Sequence, residues 1–214
     1  MYKAIIFDLD GTLLNTLEDL KNSVNYALEN NGMPARSMEE IREFVGNGVA
    51  NLIRRAVPKG TEEEAEQNVF ADFKKHYGVH CEDFTKPYPG INELLNELRA
   101  AGIKTAVVSN KLESAVKKLC RKYFGEGISA AAGDVEGRKR KPEPDSVFAV
   151  LEEVGVDANE AVYVGDSEVD VLTAENCGMD CISVSWGFRS RETLAKAGAK
   201  VIADTVEDIK KILL

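Results

Sequence analysis

The chain has 214 residues, 44% of them hydrophobic, and a formal net charge of -9. That supplies a large core and room for one large domain with an insertion, while the acidic balance argues against nucleic acid, which binds a basic face. No apolar stretch approaches the roughly 18 residues of a membrane span, and the opening run is cut off too early by Asp8 and Asp10 for a signal peptide. The expectation is a soluble, cytoplasmic protein with no membrane partner. Cys81, Cys120, Cys177 and Cys181 form no CxxC pair, and neither His76 nor His80 stands at a zinc-site spacing from them, so they read as buried reduced thiols.

In chain order, Ala4-Ile5-Ile6-Phe7 opens as a short continuous apolar run that stops at acidic residues and glycine, the pattern of a strand buried on both faces. From about Thr16 to Phe84 no strand is legible. Leu17, Leu20, Val24, Ala27 and Leu28 follow a 3.6-residue period, with Thr16 and Asp19 read as a helix-start capping pair. Ser37 with Glu40 opens a second helix carrying Ile41, Phe44 and Val45, which Gly46-Asn47-Gly48 interrupts. A third carries Val49, Leu52, Ile53 and Ala56. Thr61 with Glu64 is expected to open a fourth, with Ala65, Val69, Phe73 and Tyr77 on its inner side. Pro87-Tyr88-Pro89-Gly90 marks the return to strands, because proline and glycine stop helices and stiffen linkers.

After that point apolar runs alternate with helical patterns. Strands are expected at 104–108, more weakly at 128–132, and at 161–164, 181–184 and 200–203, with amphipathic helices such as Ile91-Leu94-Leu95-Leu98 and Val147-Val150-Leu151-Val154 among them. This alternation predicts an α/β fold, a Rossmann-like parallel sheet with helices on both faces, plus an inserted helical subdomain. The expected division is 1–14 with 85–214 for the sheet domain and 15–84 for the helical insert.

Open parallel sheets bind ligands at the carboxyl ends of their strands. There the sequence places Asp8, Asp10, Gly11 and Thr12 after the first strand, Ser109, Asn110 and Lys111 after the second, and Asp166, Ser167 and Asp170 after the strand at 161–164, with Lys141 between. Close carboxylates repel one another and need a hard cation; magnesium takes a few carboxylates plus substrate phosphate, so Asp8 and Asp166 are its expected side-chain ligands. Asp8 is the expected nucleophile and Asp10 the acid/base. Gly11 and Thr12 lie where main-chain N–H groups can cradle phosphate oxygens. Ser109 and Asn110 join them as phosphate-binding residues, and Lys141 offsets charge on Asp8 and the transferring group. Alone, the run Arg138-Lys139-Arg140-Lys141 reads as a solvated basic loop.

These residues resemble the motifs of the haloacid dehalogenase superfamily of phosphotransferases. Phe7-Asp8-Leu9-Asp10-Gly11-Thr12-Leu13 matches the first, Ser109 the second, Lys141-Pro142 the third and Gly165-Asp166-Ser167-Glu168-Val169-Asp170 the fourth, in the family's order and across essentially the whole chain. The resemblance implies an alpha-helical cap at the insert, a magnesium contact from the Asp10 main-chain carbonyl, and Asp170 as an outer-shell partner. Val45-Gly46-Asn47-Gly48-Val49, Lys86-Pro87-Tyr88-Pro89-Gly90-Ile91, Ser109-Asn110-Lys111 and Ser185-Trp186-Gly187-Phe188 are similar to the phosphoglycolate phosphatase subfamily, although Asn15, Thr16 and Ser109 depart from its usual residues. The implied function is a magnesium-dependent phosphatase for a small phosphorylated metabolite, 2-phosphoglycolate first, through an aspartyl-phosphate. The alternatives are a sugar-phosphate mutase of beta-phosphoglucomutase type, a pyrophosphatase, and a non-catalytic regulatory module on the same fold. Gly46, Asn47 and Gly48 read equally as a substrate-specificity loop or as a helix–helix turn. Trp186 reads as packing.

Overall fold

The computed structural model describes residues 2–46 and 48–214. In chain order the elements are β1 (Ala4–Phe7), β2 (Leu14–Asn15), α1 (Leu17–Asn30), α2 (Met38–Phe44), α3 (Val49–Ala56), α4 (Glu63–His80), β3 (Lys86–Pro87), α5 (Ile91–Ala100), β4 (Lys104–Leu112), α6 (Glu113–Tyr123), β5 (Ala130–Asp134), α7 (Asp145–Val154), β6 (Ala161–Gly165), α8 (Glu168–Cys177), β7 (Asp180–Val184), α9 (Arg191–Lys196), β8 (Val201–Ala203) and α10 (Val206–Leu213). Two compact units divide the chain: Met1–Leu14 with Pro87–Leu214, and Asn15–Lys86. The short strands β2 and β3, where the chain passes between them, pair as a two-stranded sheet.

The first unit is built on six strands in the order β5-β4-β1-β6-β7-β8, joined by parallel pairings. The short apolar runs become its strands because both faces are covered. Ile5, Phe7, Val107, Val162, Val164, Ile182 and Val184 pack on one side with Leu94, Leu98, Leu119 and Ile209 from α5, α6 and α10. Ala4, Ile6, Ala106, Val108 and Tyr163 pack on the other with Val147, Val150, Leu151 and Ala174 from α7 and α8. Successive residues of β1 thus alternate between two cores, so neither face of the strand tolerates a polar residue.

This topology positions the site. From β1 the chain builds outward through β4 to β5, then returns to the opposite side of β1 with β6. β1 pairs with both β4 and β6, Phe7 lying level with Val107 and with Val164. The ends of these three strands therefore lie side by side where strand order reverses, the usual location of a ligand crevice in such sheets.

The second unit is helical. Leu20, Val24, Ala27 and Leu28 of α1, Ile41 of α2, Leu52, Ile53 and Ala56 of α3, and Val69, Phe73 and Tyr77 of α4 are its buried apolar residues. Ser37 and Glu40 form the expected capping box at α2, Glu40 N–H donating to Ser37 Oγ at 3.2 Å and Ser37 N–H to Glu40 Oε2 at 2.8 Å. The other two expected caps do not form. Thr16 takes the N-cap position of α1, but its buried hydroxyl has no hydrogen-bond partner among the described residues. Asp19 instead accepts from the Phe84 N–H at 3.0 Å, the Thr85 N–H at 2.8 Å and the Thr85 hydroxyl at 2.7 Å. At α4 the N-cap is Glu62, and the Thr61 hydroxyl donates to the Pro58 carbonyl at 2.7 Å.

Asp19 is 2% exposed and ties the first turn of α1 to the segment that closes the unit. Replacing it by alanine removes the charge-assisted acceptor of two amides and a hydroxyl. Asp19→Ala is expected to cost about 3 kcal/mol of stability. Urea unfolding checks the loss, and faster hydrogen exchange at the amides of Phe84 and Thr85 checks its origin.

The four thiols form no disulfide among the described residues, with Cys81, Cys120 and Cys177 buried and Cys181 half-buried. Burial pushes Cys120 and Cys181 up to about 12, far from the thiolate that metal binding or redox chemistry requires. No helix among the described residues is long and apolar enough to cross a membrane.

Candidate active site

Asp8 follows the last residue of β1 and its N–H donates to the Val164 carbonyl at 2.8 Å, which extends the ladder by one residue and sets the carboxylate at the sheet's edge. Asp166 follows the last residue of β6. Asp8, Asp166 and Asp170 can bring one carboxylate oxygen each to within 4.8 Å of one another, and all three are buried. Lys141 Nζ, itself 4% exposed at the side chain, lies 2.8 Å from Asp8 Oδ1, 2.8 Å from Asp170 Oδ1 and 3.1 Å from the hydroxyl of Tyr163.

Three carboxylates against one ammonium leave a local deficit of two positive charges. The electrostatics follow from that. Burial, reinforced by Asp170 and Asp10 and opposed by Lys141, pushes Asp8 up to about 7. Burial, with Asp8 and Asp170 beside it, pushes Asp166 well above the ordinary carboxylate range. Burial alone would lower the Lys141 ammonium, but Asp170 and Asp8 outweigh it and hold the group charged. A hard divalent cation fits this donor set in charge and in ligand type.

The three carboxylates are not equivalent. Asp170 is already saturated: Oδ1 accepts from Lys141 and, at 3.2 Å, from Tyr163, while Oδ2 accepts the Ser167 N–H at 3.1 Å and hydroxyl at 2.6 Å. Among the described residues, Asp166 accepts one bond, from the Phe188 N–H at 2.6 Å. Asp8 and Asp166 are therefore the side chains left to ligate a cation, and Asp170 stands behind them.

The backbone admits these groups only through glycine. Gly11 has φ +93, and a Cβ there would collide with the Asp166 carboxylate. A Cβ on Gly187 would collide with the Asp166 side chain and the Gly11 carbonyl. The loops after β1 and β7 thus close on Asp166 at backbone contact. Trp186, read as packing, also joins them: its Nε1–H donates to the Thr12 carbonyl at 3.1 Å. The Thr12 hydroxyl is buried and has no hydrogen-bond partner among the described residues.

β4 breaks register between Val108 and Leu112. An irregularity of this kind re-aims side chains beside a site, and here it serves three residues in a row. Ser109 is buried, its Oγ accepting from the Lys111 N–H at 3.3 Å. The Asn110 side chain, expected at the phosphate, is instead spent on Lys141: Oδ1 accepts from the Lys141 N–H at 2.9 Å and Nδ2 donates to its carbonyl at 3.0 Å. It fixes the backbone from which the ammonium projects. Lys111, placed at this strand end by the sequence but given no task there, has Nζ 2.9 and 3.1 Å from the two oxygens of Asp10. Tyr163, in an apolar run, read as core and is also the third acceptor of Lys141. The neighbouring basic residues disperse into separate pairs, Arg138 with Glu113, Lys139 with Glu143 and Arg140 with Asp134.

Gly46 and Gly48 lie in the helical unit between α2 and α3, with φ of 128 and 82. Asn47 lies outside the described residues.

The family model for haloacid dehalogenase-like hydrolases matches residues 5–184. The chain belongs to that family. Among its relatives, the phosphoglycolate phosphatase of Pseudomonas savastanoi pv. phaseolicola is 32% identical over 217 residues, covering 99% of this chain and 78% of the relative. That of Rhodospirillum rubrum is 34% identical over 215 residues, covering 95% and 88%. A crystal structure from Lactobacillus delbrueckii subsp. bulgaricus, of a protein described provisionally as a phosphoglycolate phosphatase, superposes with a TM-score of 0.95 at 38% identity, covering 100% of this chain and 98% of the other. The parallel α/β sheet expected from the sequence is present, and beside its strand ends Asp8, Asp166, Asp170 and Lys141 come together.

The raised carboxylates make a pH prediction. Between the unfolded value of 3.8 and about 7, folded Asp8 keeps a proton that the unfolded chain has released. The folded state then binds more protons, so stability falls as pH rises through that window and the full penalty stands above it; Asp166 acts in the same sense. In chelator, thermal unfolding is expected at a lower temperature at about pH 7.5 than at about pH 5.5, and magnesium, which binds the ionised form, is expected to shrink or reverse the difference. A metal-free midpoint that climbs over the same interval contradicts the assignment.

Proposed function

We propose that this protein is a magnesium-dependent phosphatase that hydrolyses a small phosphorylated metabolite through an aspartyl-phosphate on Asp8, with 2-phosphoglycolate as the first candidate. The observation that carries the reading is the buried trio of Asp8, Asp166 and Asp170 facing the single ammonium of Lys141. The phosphoglycolate phosphatases among its relatives support the substrate.

Asp8 and Asp166 carboxylates, with the Asp10 main-chain carbonyl, would hold magnesium, which when bound neutralises charge on the phosphoryl group. Asp8 attacks phosphorus, the Asp8–phosphorus bond forms and the ester oxygen leaves with the electron pair of the broken bond. Asp10 gives that oxygen its proton. It then takes one from water, which attacks the acyl phosphate, releases inorganic phosphate and returns Asp8. Ser109 and the main chain at Gly11 and Thr12 bind phosphoryl oxygens. Lys141 holds Asp8 and faces the developing charge. Substrate choice is assigned to the helical insert, as the cap of the enzyme, and to the leaving-group side of Asp10.

Hydrolysis of p-nitrophenyl phosphate with and without magnesium tests the activity. No magnesium-dependent turnover sinks it. kcat/KM across 2-phosphoglycolate, sugar phosphates and pyrophosphate tests the substrate, and a flat profile rejects a dedicated phosphoglycolate role.

A further inference from the structure

The loop after β7 touches the site at three consecutive residues. Trp186 donates its Nε1–H to the Thr12 carbonyl at 3.1 Å. A Cβ on Gly187 would collide with the Asp166 side chain and the Gly11 carbonyl. The Phe188 N–H donates to Asp166 Oδ2 at 2.6 Å. The indole is half-buried, packs against the core on the α5 side of the sheet and stands beside Tyr88 with ring centroids 6.5 Å apart, so packing fixes the line of its N–H. At the other end of that bond, the amides of Leu13 and Leu14 close the turn on the Leu9 carbonyl at 3.1 and 2.9 Å. The Thr12 amide has no hydrogen-bond partner among the described residues. An unspent main-chain N–H four residues from the nucleophile is a donor for a bound anion.

We infer that Trp186 is a positioning residue for phosphate binding, acting through the Thr12 main chain. The inference rests on the phosphatase reading above, in which that main chain takes a phosphoryl oxygen. Peptide groups are planar, so once the Thr12 carbonyl is held, only the two backbone dihedrals of Thr12 separate it from the Thr12 N–H. The restraint matters because Gly11, on the other side of that N–H, has φ +93 and no side chain to limit it. A turn entered through such a residue needs a tether from outside, and the indole supplies one. Gly187 and Phe188 carry the same segment to Asp166. One short loop therefore sets a phosphate donor and a cation ligand together.

Trp186→Phe keeps an aromatic ring and removes the donor. Calorimetric titration with inorganic phosphate in saturating magnesium is expected to show an affinity about tenfold weaker than the wild type, the scale of one lost hydrogen bond. KM for p-nitrophenyl phosphate is expected to rise by a similar factor with kcat kept within about threefold, a split that loosened packing alone does not produce. Trp186 is the only tryptophan of the chain. Replacing tryptophan throughout by β-(3-benzothienyl)alanine, which has the bicyclic shape and no N–H, therefore makes the same comparison if Trp186→Phe does not accumulate as folded protein. Gly187→Ala, whose methyl meets Asp166 and Gly11, is expected to weaken magnesium and phosphate alike by about tenfold or more, whereas Trp186→Phe keeps magnesium affinity within about threefold. Phosphate affinity unchanged when the indole N–H is removed, whatever the unfolding midpoint, makes Trp186 a packing residue and overturns the inference, as does a loss confined to kcat. Wild-type affinities in Gly187→Ala overturn the link to Asp166. A wild-type protein that neither binds inorganic phosphate nor hydrolyses the ester overturns the phosphatase reading as well.

Discussion

Replacing Asp8 by asparagine is expected to lower turnover by roughly 10⁴-fold or more, since removing a covalent nucleophile leaves only binding and electrostatics to act on the ester. The same substitution is expected to stabilise the metal-free protein above about pH 7. The two effects have one source. Asp8 is raised to about 7 because it is buried beside two further carboxylates with one ammonium between them. Its ionised form is therefore disfavoured in the fold and needed for attack. Asparagine keeps the shape, removes one of the two unbalanced charges and removes the nucleophile. Thermal unfolding in chelator at about pH 8 is expected to show a higher midpoint for the variant, and the gain on adding magnesium to be smaller than in the wild type because a charged ligand is gone. Full activity in Asp8→Asn, or a lower metal-free midpoint at that pH, counts against the assignment.

How much of this was legible in the sequence depended on how local the signal was. The central strands of the large sheet were plain because a strand buried on both faces must be apolar throughout, and runs such as Ala4–Phe7 and Ala161–Gly165 are short and sharply bounded, whereas β5, more weakly expected at 128–132, lies at Ala130–Asp134. Asp8 and Asp166 were found because they stand directly beyond such runs. The capping pairs were less secure. Ser37 and Glu40 meet each other, but the same spacing at Thr16 and Asp19 does not close, because two amides at residues 84 and 85 compete for the carboxylate. Nothing within the helix reveals a competitor 65 residues away. Lys111 was placed at the strand end, but its pairing escaped for the same reason: Asp10 lies 101 positions upstream. Tyr163 was hidden by its neighbours, because inside Ala161–Gly165 an aromatic ring is what a core needs, and only the folded sheet brings its hydroxyl to Lys141. Asn110 was placed in the right crevice with the wrong task. Its amide fits a peptide group as well as it fits a phosphate, and the Lys141 peptide is the group that the irregular end of β4 offers it.

Lys141 carries the second large effect. Lys141→Met removes the charge while keeping most of the stem, and it leaves Asp8, Asp170 and Tyr163 facing one another with no donor of positive charge. Turnover is expected to fall by roughly 10³-fold or more, as for loss of a group aimed at charge that develops in the transition state. Breaking a buried ion pair from one side costs about 3–5 kcal/mol when the remaining charge cannot be neutralised. Here it can be, by protonation, so the cost depends on pH. Without the ammonium the Asp8 carboxylate moves further up from about 7, and the folded variant holds its proton over a wider interval than the wild type. Stability lost to the substitution is therefore expected to be small at about pH 5.5 and to grow as pH rises. Urea unfolding of both proteins in chelator at the two ends of that interval measures the difference. Lys141→Arg is not expected to restore activity, because a planar guanidinium cannot direct three bonds from one atom to Asp8, Asp170 and Tyr163 as the ammonium does. A Lys141→Met variant whose stability deficit is the same at both pH values would show that the carboxylates do not sense the ammonium, and the charge deficit that argues for a divalent cation would lose its basis.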